Sequence, residues 1–166
     1  MDCLNWPELS GSEWGERTLA PIKGQRYPLS GGIDLTERCN LSCRHCYIRQ
    51  PISSHSALAT EMNTATVKNI IDQIADAGCM FLLLTGGEIL VRPDFMEIYM
   101  HAKRRGMLLT LFTNGTLVTK DLAKQLGNYP PAIIEITLYG ASEETYAAVT
   151  GVNGMFERVV TGLNLL

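Results

Sequence analysis

Three cysteines within eight residues are the part of this sequence best suited to metal chemistry. Cys39, Cys43 and Cys46 follow a C-x3-C-x2-C pattern, and we refer to residues 39–46 as the cysteine loop. Three thiolates on one short loop can ligate three irons of a [4Fe–4S] cluster, and the fourth iron then stays open to a substrate or cofactor. The pattern therefore predicts a cluster that takes part in chemistry rather than one that only stores electrons.

A zinc site is the alternative for the same cysteines. Structural zinc prefers four ligands in a tetrahedron, so a fourth ligand is needed beside the three thiolates. His45 lies between two of the cysteines and cannot readily reach the same ion, and His55 reaches it only if the chain folds back. The sequence therefore favours the cluster and leaves zinc as the lesser alternative.

The composition limits the partners of the chain. The 166 residues are 46% hydrophobic and carry a formal net charge of −3, which fits one globular domain with a sizeable core. The sequence has no basic stripe, so we expect no binding of nucleic acid. No apolar run reaches the length of a transmembrane helix, and the N-terminus lacks the pattern of a signal peptide. Clustered cysteines indicate metal ligation in a reducing compartment, so we predict a cytoplasmic protein without membrane contacts.

The sequence alternates between short apolar runs and amphipathic helices. Strands are predicted at four apolar runs, residues 33–35, 80–84, 107–112 and 133–138. The continuous apolar character of the last three runs predicts burial on both faces. Helices are predicted between and after them, because apolar residues there recur at i, i+3, i+4 and i+7. This order predicts an α/β fold with a parallel sheet.

Glycine and polar residues of unusual type follow the predicted strands. The cysteine loop follows the first strand, and Gly86, Gly87 and Glu88 follow the second. Asn114 follows the third strand, and Thr137 lies at the end of the fourth. Because ligands bind at the carboxyl ends of parallel strands, we expect these residues to meet at one edge of the sheet. Each alone has a plain interpretation as a turn or a solvated loop residue, but together they predict a binding site.

On these motifs the sequence resembles the radical S-adenosylmethionine (radical SAM) superfamily. The C-x3-C-x2-C loop is its signature, "LTGGEILVRPDF" is similar to its glycine-glycine-glutamate motif, and "FTNGT" is similar to its third-strand motif. The stretch "EITLYGASEETYAAVTGVNGMFERVVTGLNLL" is similar to the fourth-strand region of the peptide- and cofactor-maturing branch. Members of that branch often carry an auxiliary-cluster (SPASM) domain.

The resemblance covers about residues 30–166 and implies a fold for them. That fold is α/β, a partial parallel (β/α) barrel with about four of the six βα units of a radical SAM core. The resemblance thus implies a truncated core domain. Residues 1–29 lack periodicity and are predicted to form an irregular N-terminal arm that packs on the domain through its aromatic residues.

The resemblance also implies which residues hold the cofactors. Cys39, Cys43 and Cys46 would ligate the [4Fe–4S] cluster, whose open iron is chelated by the amine and carboxylate of S-adenosylmethionine. His45 occupies the family's usual aromatic position and would pack near the adenine. Arg158 is a candidate contact for the carboxylate.

The remaining candidate residues follow the second, third and fourth strands. Gly86 and Gly87 would let backbone carbonyls approach the amine of S-adenosylmethionine, because they lack side chains. Glu88 would add a charged acceptor for the same amine. Asn114 and Thr137 are candidates for polar contacts to the ribose or the methionyl group.

An enzyme is the function that the resemblance implies. Reduction of the cluster would cleave S-adenosylmethionine to methionine and a 5′-deoxyadenosyl radical, which abstracts hydrogen from a substrate. The expected substrate is a peptide or a small-molecule cofactor precursor, and the expected electron donor is a flavodoxin or ferredoxin. The alternative is a truncated cluster-binding fragment or partner module without turnover of its own.

Overall fold

The computed structural model describes residues 10–48 and 50–166, in which helices alternate with strands. The strands are β1 (Ser30–Thr36), β2 (Arg38–Cys39), β3 (Gln50–Pro51), β4 (Phe81–Gly86), β5 (Leu108–Thr113) and β6 (Ile133–Ile136). The α-helices are α1 (Gly11–Leu19), α2 (His55–Thr60), α3 (Thr64–Asp76), α4 (Phe95–Arg104), α5 (Lys120–Asn128), α6 (Glu143–Thr150) and α7 (Phe156–Leu165). Among the helices of these residues, none combines the length and the apolar character that a membrane crossing requires.

Four parallel strands form the main sheet, in the order β1-β4-β5-β6. The register sets Leu84 of β4 beside Ile33 of β1 and Leu111 of β5. Parallel neighbours need a crossover connection, which the helices supply here. The predicted α/β architecture with four parallel strands is confirmed. Two further strands, β2 and β3, come between β1 and β4 along the chain and form a separate parallel pair. Each is only two residues long, which is too short to be predicted from the sequence.

Side-chain caps fix the points at which three of the helices begin. Asn63, Thr119 and Ser142 precede α3, α5 and α6, and each side chain accepts a hydrogen bond from a backbone amide of the first turn. Such caps satisfy donors that have no partner within the helix. At the other end of α6, Gly151 has a φ of 70°, the left-handed conformation that suits glycine. Ser142 and Gly151 therefore mark the two ends of α6, and the last turn of this helix contacts the cysteine loop.

The core lies between the main sheet and helices α3 and α4. Leu82 and Leu84 of β4, and Leu109 and Leu111 of β5, are at most 2% exposed. The intervening residues point to the opposite face, because side chains alternate along a strand. On that face Phe112 is 40% exposed. The prediction of burial on both faces is therefore wrong for these strands, since the face opposite α3 and α4 borders a cavity.

The N-terminal arm contains a helix where the sequence predicts irregular structure. The first nine residues of the arm lie outside the described residues, and α1 begins directly after Ser10. The Ser10 hydroxyl accepts from the Glu13 amide at 3.3 Å, and the Glu13 carboxylate accepts from the Ser10 amide at 2.9 Å. This capping box pairs backbone donors at the start of α1 that have no partner within the helix. Trp14 packs edge-on against Phe81 with ring centroids 6.0 Å apart, so the expected aromatic packing of the arm is confirmed.

Candidate active site

A cavity at the carboxyl ends of the main-sheet strands brings most of the predicted site residues together. Its volume of about 520 Å³ lies in the range of about 300–1,000 Å³ that is usual for ligand sites. The predicted site residues that line it are Cys39, Cys43, His45, Cys46, Gly86, Gly87, Asn114 and Thr137. They come from four separate connections of the chain, so the fold and not the local sequence assembles this site.

Two predicted site residues lie outside the cavity wall. Glu88 is fully buried behind it, with 0% exposure. Arg158 is an exposed residue of α7. Neither is among the described residues that line the cavity. The structure thus separates these two side chains from the other eight.

The last turn of α6 anchors the cysteine loop. The Ser42 amide donates to the Thr150 carbonyl at 2.9 Å, and the Arg44 amide donates to the Val149 carbonyl at 3.0 Å. The final carbonyls of a helix have no partner within it, so α6 offers acceptors at this end. Two hydrogen bonds donated to α6 carbonyls therefore fix the backbone on both sides of Cys43.

The two glycines after β4 let the chain pass very close to β1 and β2. Gly86 has a φ of 134°, and a Cβ atom there would overlap the carbonyl oxygen of Thr36. A Cβ atom on Gly87 would overlap the carbonyl oxygen of Arg38. The Gly87 amide donates to the Thr36 carbonyl at 2.7 Å, and the Glu88 amide donates to the Arg38 carbonyl at 2.9 Å. Backbone packing therefore requires both glycines, whatever they contribute to a ligand.

The Glu88 carboxylate organises the chain after β5. It accepts hydrogen bonds from the Leu90 amide at 2.9 Å, the Thr113 hydroxyl at 2.8 Å and the Asn114 amide at 2.7 Å. Burial raises the pKa of Glu88, although the hydrogen bonds from Asn114, Leu90 and Thr113 act in the opposite direction. Glu88 thus holds Asn114 at the cavity from behind.

Replacing Glu88 with glutamine is expected to lower the free energy of unfolding by about 1–3 kcal/mol, the range for a buried donor left unpaired. Leu90 and Thr113 donate to Oε1 and Asn114 donates to Oε2. The amide group of glutamine must therefore turn its own N–H donors toward at least one of these donors. Urea denaturation at neutral pH measures the change. The matched control is Glu157→Gln at an exposed position of α7, which is expected to change stability by less than about 0.5 kcal/mol. Equal stabilities of the two variants would contradict this role of Glu88.

A ring of hydrogen bonds connects Asn114 to Cys39. Asn114 Nδ2 donates to Asn40 Oδ1 at 2.9 Å and lies 3.8 Å from the sulfur of Cys39. Asn40 Nδ2 donates to Thr116 Oγ1 at 2.7 Å, and the Thr116 amide donates to Asn114 Oδ1 at 3.0 Å. Asn40 and Thr116 are not among the site residues predicted from the sequence. The local signal for Thr116 is the Asn-Gly-Thr sequence, because an asparagine side chain often accepts from the amide two residues on.

His45 and Tyr139 form one side of the cavity. His45 Nε2 lies 3.3 Å from the Tyr139 hydroxyl, and the two rings pack edge-on with centroids 5.0 Å apart. Both residues line the cavity. Tyr139 is absent from the predicted site residues, although its position just after β6 is the available signal. The pair places two aromatic surfaces beside the cysteines.

A buried ion network lies next to the start of the cysteine loop. Glu61 accepts from Arg38 at 3.0 and 3.1 Å and from the Thr36 hydroxyl at 2.5 Å, and it lies 3.3 Å from Arg92. We call these four residues the Glu61 network. Burial alone would raise the pKa of Glu61, but the hydrogen bonds and positive charges of its partners lower it. Since Arg38 directly precedes Cys39, the network fixes one end of the cysteine loop.

The donor set of the cavity fits a [4Fe–4S] cluster. Three cysteines line its wall, and cysteine thiolates are the ligands that hold iron–sulfur clusters. Within residues 10–48 and 50–166, no three His, Cys, Asp or Glu side chains converge on a point suited to a single metal ion. A [4Fe–4S] cluster instead takes each of its cysteines on a different iron, so its ligands lie around a larger group.

The sequence is similar to proteins of known activity over most of its length. Residues 33–166 match the Radical SAM superfamily. The chain is 37% identical over 133 residues to the AdoMet-dependent heme synthase of Methanosarcina barkeri. It is 34% identical over 140 residues to AlbA of Bacillus subtilis, an antilisterial bacteriocin subtilosin biosynthesis protein. These matches cover 80% and 84% of this chain but 37% and 30% of the relatives, so the chain spans about a third of their length.

The fold is also similar to that of a solved structure. The crystal structure of Streptococcus suis SuiB bound to S-adenosylmethionine superposes with a TM-score of 0.67 at 19% sequence identity. The superposition covers 96% of this chain and 38% of SuiB. The sheet, the cysteine loop and the family match over residues 33–166 lead to one assignment. The chain belongs to the radical SAM superfamily.

Proposed function

We propose that this chain is the cluster- and cofactor-binding part of a radical SAM enzyme. Cys39, Cys43 and Cys46 hold three irons of a [4Fe–4S] cluster, and S-adenosylmethionine binds in the adjoining cavity. The observation that carries the proposal is the single cavity that joins the three cysteines to Gly86 and Gly87. Support also comes from the M. barkeri relative, which is named as AdoMet-dependent, and from SuiB, which was solved with S-adenosylmethionine bound.

The residues of the cavity wall would bind and orient the cofactors. When bound, the cluster would supply the electron that cleaves S-adenosylmethionine to methionine and a 5′-deoxyadenosyl radical, which abstracts hydrogen from the substrate. In our proposal the carbonyls of Gly86 and Gly87 accept hydrogen bonds from the amine. Asn114 and Thr137 offer polar groups to the ribose or the methionyl group, and His45 offers its ring to the adenine. Their placement on one wall supports these roles.

The substrate class that we propose is a peptide or a cofactor precursor. One relative is named a heme synthase and another a bacteriocin biosynthesis protein. SuiB has also been solved with its precursor peptide SuiA, and that structure superposes on this chain with a TM-score of 0.69. A flavodoxin or ferredoxin is the electron donor that we propose.

Anaerobic reconstitution with iron and sulfide tests this proposal. The chain is expected to bind about four irons, to give an EPR signal on reduction that changes when S-adenosylmethionine is added, and to release 5′-deoxyadenosine. Cys43→Ala is expected to lower iron binding by more than about tenfold, since even indirect ligand contacts change metal affinity by about 10–100-fold. Cys79→Ala is the matched control, because this buried cysteine lies outside the cysteine loop and is 6% exposed.

Two outcomes would change the assignment. Full iron binding by Cys43→Ala would contradict the ligand set. A cluster whose EPR signal does not respond to S-adenosylmethionine would support the alternative, a cluster-binding fragment without turnover.

A further inference from the structure

The hydrogen-bond ring of Asn114, Asn40 and Thr116 has only one possible direction. The Thr116 backbone amide can only donate, and its partner at 3.0 Å is Asn114 Oδ1. The oxygen of this side chain is thereby identified, so the group that faces Asn40 Oδ1 at 2.9 Å is Asn114 Nδ2. Asn40 Nδ2 donates to the Thr116 hydroxyl at 2.7 Å, and that hydroxyl donates to Asn114 Oδ1 at 2.6 Å. Each of these four hydrogen bonds pairs a donor with an acceptor without conflict.

One N–H group of Asn114 is left outside this ring. A side-chain amide carries two N–H donors, and Asn40 takes only one of them. The other is directed at Cys39, because Nδ2 lies 3.8 Å from the sulfur of that residue. Sulfur is larger than oxygen, so hydrogen bonds to sulfur are longer than those to oxygen. The ring therefore aims an amide donor at one of the three cysteines of the loop.

Cys39 differs in this respect from the other two cysteines. Its sulfur faces two N–H donors, the Asn114 side chain at 3.8 Å and the Leu41 backbone amide at 3.4 Å. Across residues 10–48 and 50–166, no other residue donates a hydrogen bond to the sulfur of Cys43 or of Cys46. Hydrogen bonding to the cluster ligands is therefore concentrated on Cys39.

The donor of Asn114 is held in place from two sides. The backbone amide of Asn114 donates to the buried Glu88 carboxylate at 2.7 Å, and its side chain is fixed by the ring. Thr116, which closes the ring, is only 6% exposed. The side chain of Asn114 cannot turn away from Cys39 without breaking hydrogen bonds that water does not readily replace. The N–H group is therefore oriented by the fold itself.

We propose that the Asn114 side-chain amide donates a hydrogen bond to the sulfur of Cys39 in the cluster-bound protein and thereby raises the reduction potential of the cluster. This inference rests on the function proposed above. Hydrogen bonds to the sulfurs of an iron–sulfur centre stabilise its more negative, reduced state and are one of the means by which proteins set the potential. Asn114 is a positioning residue in this scheme, because it acts through a ligand. Both of its N–H groups are then engaged, so this role takes the place of the polar contact to S-adenosylmethionine suggested for Asn114.

Asn114→Leu removes the donor and keeps the branched shape of the side chain. An EPR-monitored redox titration of the reconstituted chain is expected to give a midpoint potential that is more negative than that of the wild type. We expect the equilibrium constant for reduction to fall about tenfold, which is about 59 mV for a one-electron couple. The titration is done without S-adenosylmethionine, because a residue that only contacts this cofactor would then have no effect on the potential.

Thr116→Val is the matched control. It removes the hydroxyl and so breaks the ring, but the backbone amide of residue 116 still holds Asn114 Oδ1 and leaves Nδ2 directed at Cys39. Both variants are expected to lose stability in urea, since each leaves polar groups of the ring unpaired. Only Asn114→Leu is expected to shift the potential. The comparison thus separates the hydrogen bond to sulfur from the stability of the ring.

A second measurement needs no substitution and stays available if Asn114→Leu does not fold. The wild-type chain is labelled with ¹⁵N in its asparagine side chains, and pulsed EPR is recorded on the reduced cluster. A coupling between the cluster and a side-chain nitrogen is expected, because a hydrogen bond to a ligand sulfur carries spin density to the donor. The same coupling is expected in Thr116→Val.

The outcomes separate this inference from the proposed function. A wild-type chain that binds no cluster would overturn the proposed function and this inference with it. If the cluster binds, the role of Asn114 alone is overturned by a missing ¹⁵N coupling, by an unchanged potential in Asn114→Leu, or by equal shifts in Asn114→Leu and Thr116→Val. Weaker binding of S-adenosylmethionine by Asn114→Leu at an unchanged potential would assign Asn114 to the cofactor instead. A negative shift in Asn114→Leu alone supports the hydrogen bond to Cys39.

Discussion

Replacing Glu61 with alanine is expected to lower the free energy of unfolding by about 3–5 kcal/mol, the range for removing one partner of a buried ion pair. The substitution leaves Arg38, which is only 8% exposed, without its carboxylate partner, whereas Arg92 keeps its ion pair with Asp94. A charge that is buried without a partner is far more costly than a charge in water. Urea denaturation at neutral pH measures the change.

Glu97→Ala provides the comparison for this prediction. Glu97 also pairs with a basic residue, Lys68, but its side chain is 58% exposed. Exposed pairs contribute at most about 1 kcal/mol, so this variant is expected to remain close to the wild type. If both variants lose the same stability, the Glu61 network is not the buried anchor that the structure indicates.

The contribution of Glu61 is also expected to depend on pH. Its pKa is lowered in the folded protein, because hydrogen bonds and positive charges outweigh the effect of burial. A carboxyl group with a lowered pKa stabilises the fold above its ordinary pKa of about 4.3, and this stability is lost as the pH falls through the folded-state pKa. The difference between the wild type and Glu61→Ala should therefore be largest at neutral pH and should shrink in acid. A difference that grows on acidification would contradict the assignment.

Gly86→Ala is the second change with a large expected effect. It is expected to lower the free energy of unfolding by about 2–6 kcal/mol. Part of it, about 1–3 kcal/mol, comes from forcing a residue with a side chain into a φ of 134°. A further 1–3 kcal/mol or so comes from overlap of the new methyl group with the backbone of Thr36. The overlap cannot be relieved by a change of rotamer, so β1 and β4 must move apart. We expect reconstituted iron to fall as well, since the cysteine loop follows β1.

Gly106→Ala separates the two contributions to this effect. Gly106 also has a positive φ, of 78°, but a Cβ atom there would meet nothing within 4 Å. This control therefore tests backbone conformation alone. Its free energy of unfolding is expected to fall by about 1–2 kcal/mol, and its iron content is expected to stay unchanged. Thermal unfolding and iron content, measured on both variants, give the comparison. Equal losses would show that close approach to Thr36 is not important.

The main features of the fold and of the cavity could be predicted because they depend on local patterns. Alternating apolar runs and amphipathic helices indicate parallel strands, and parallel strands bring their carboxyl ends to one edge. From this rule alone the cysteine loop is expected to meet Gly86, Gly87 and Asn114, which is what the cavity shows. The rule does not predict the direction in which a side chain points. Glu88 stands in the expected segment, but its carboxylate points inward to three donors.

The supporting contacts could not be predicted because they join residues that are remote in sequence. Glu61 lies between two helices, with no periodic pattern that would connect it to Arg38 or to Arg92. Asn40 looks like an ordinary loop residue beside Cys39, and only the three-dimensional structure joins its side chain to Thr116 and Asn114. The helix of the arm begins with the capping box of Ser10, a signal of four residues that is easily missed.

The attachment of the cysteine loop to α6 has a consequence for the order in which the protein matures. Ser42 and Arg44 bind carbonyls that lie more than a hundred residues later in the sequence. A nascent chain on the ribosome exposes the cysteines long before Val149 and Thr150 have been synthesised. Contacts of such large sequence separation form late, because a long loop must first be closed. The loop therefore reaches its observed conformation only after α6 has folded, and the cluster that we propose for this site would be acquired late in biogenesis.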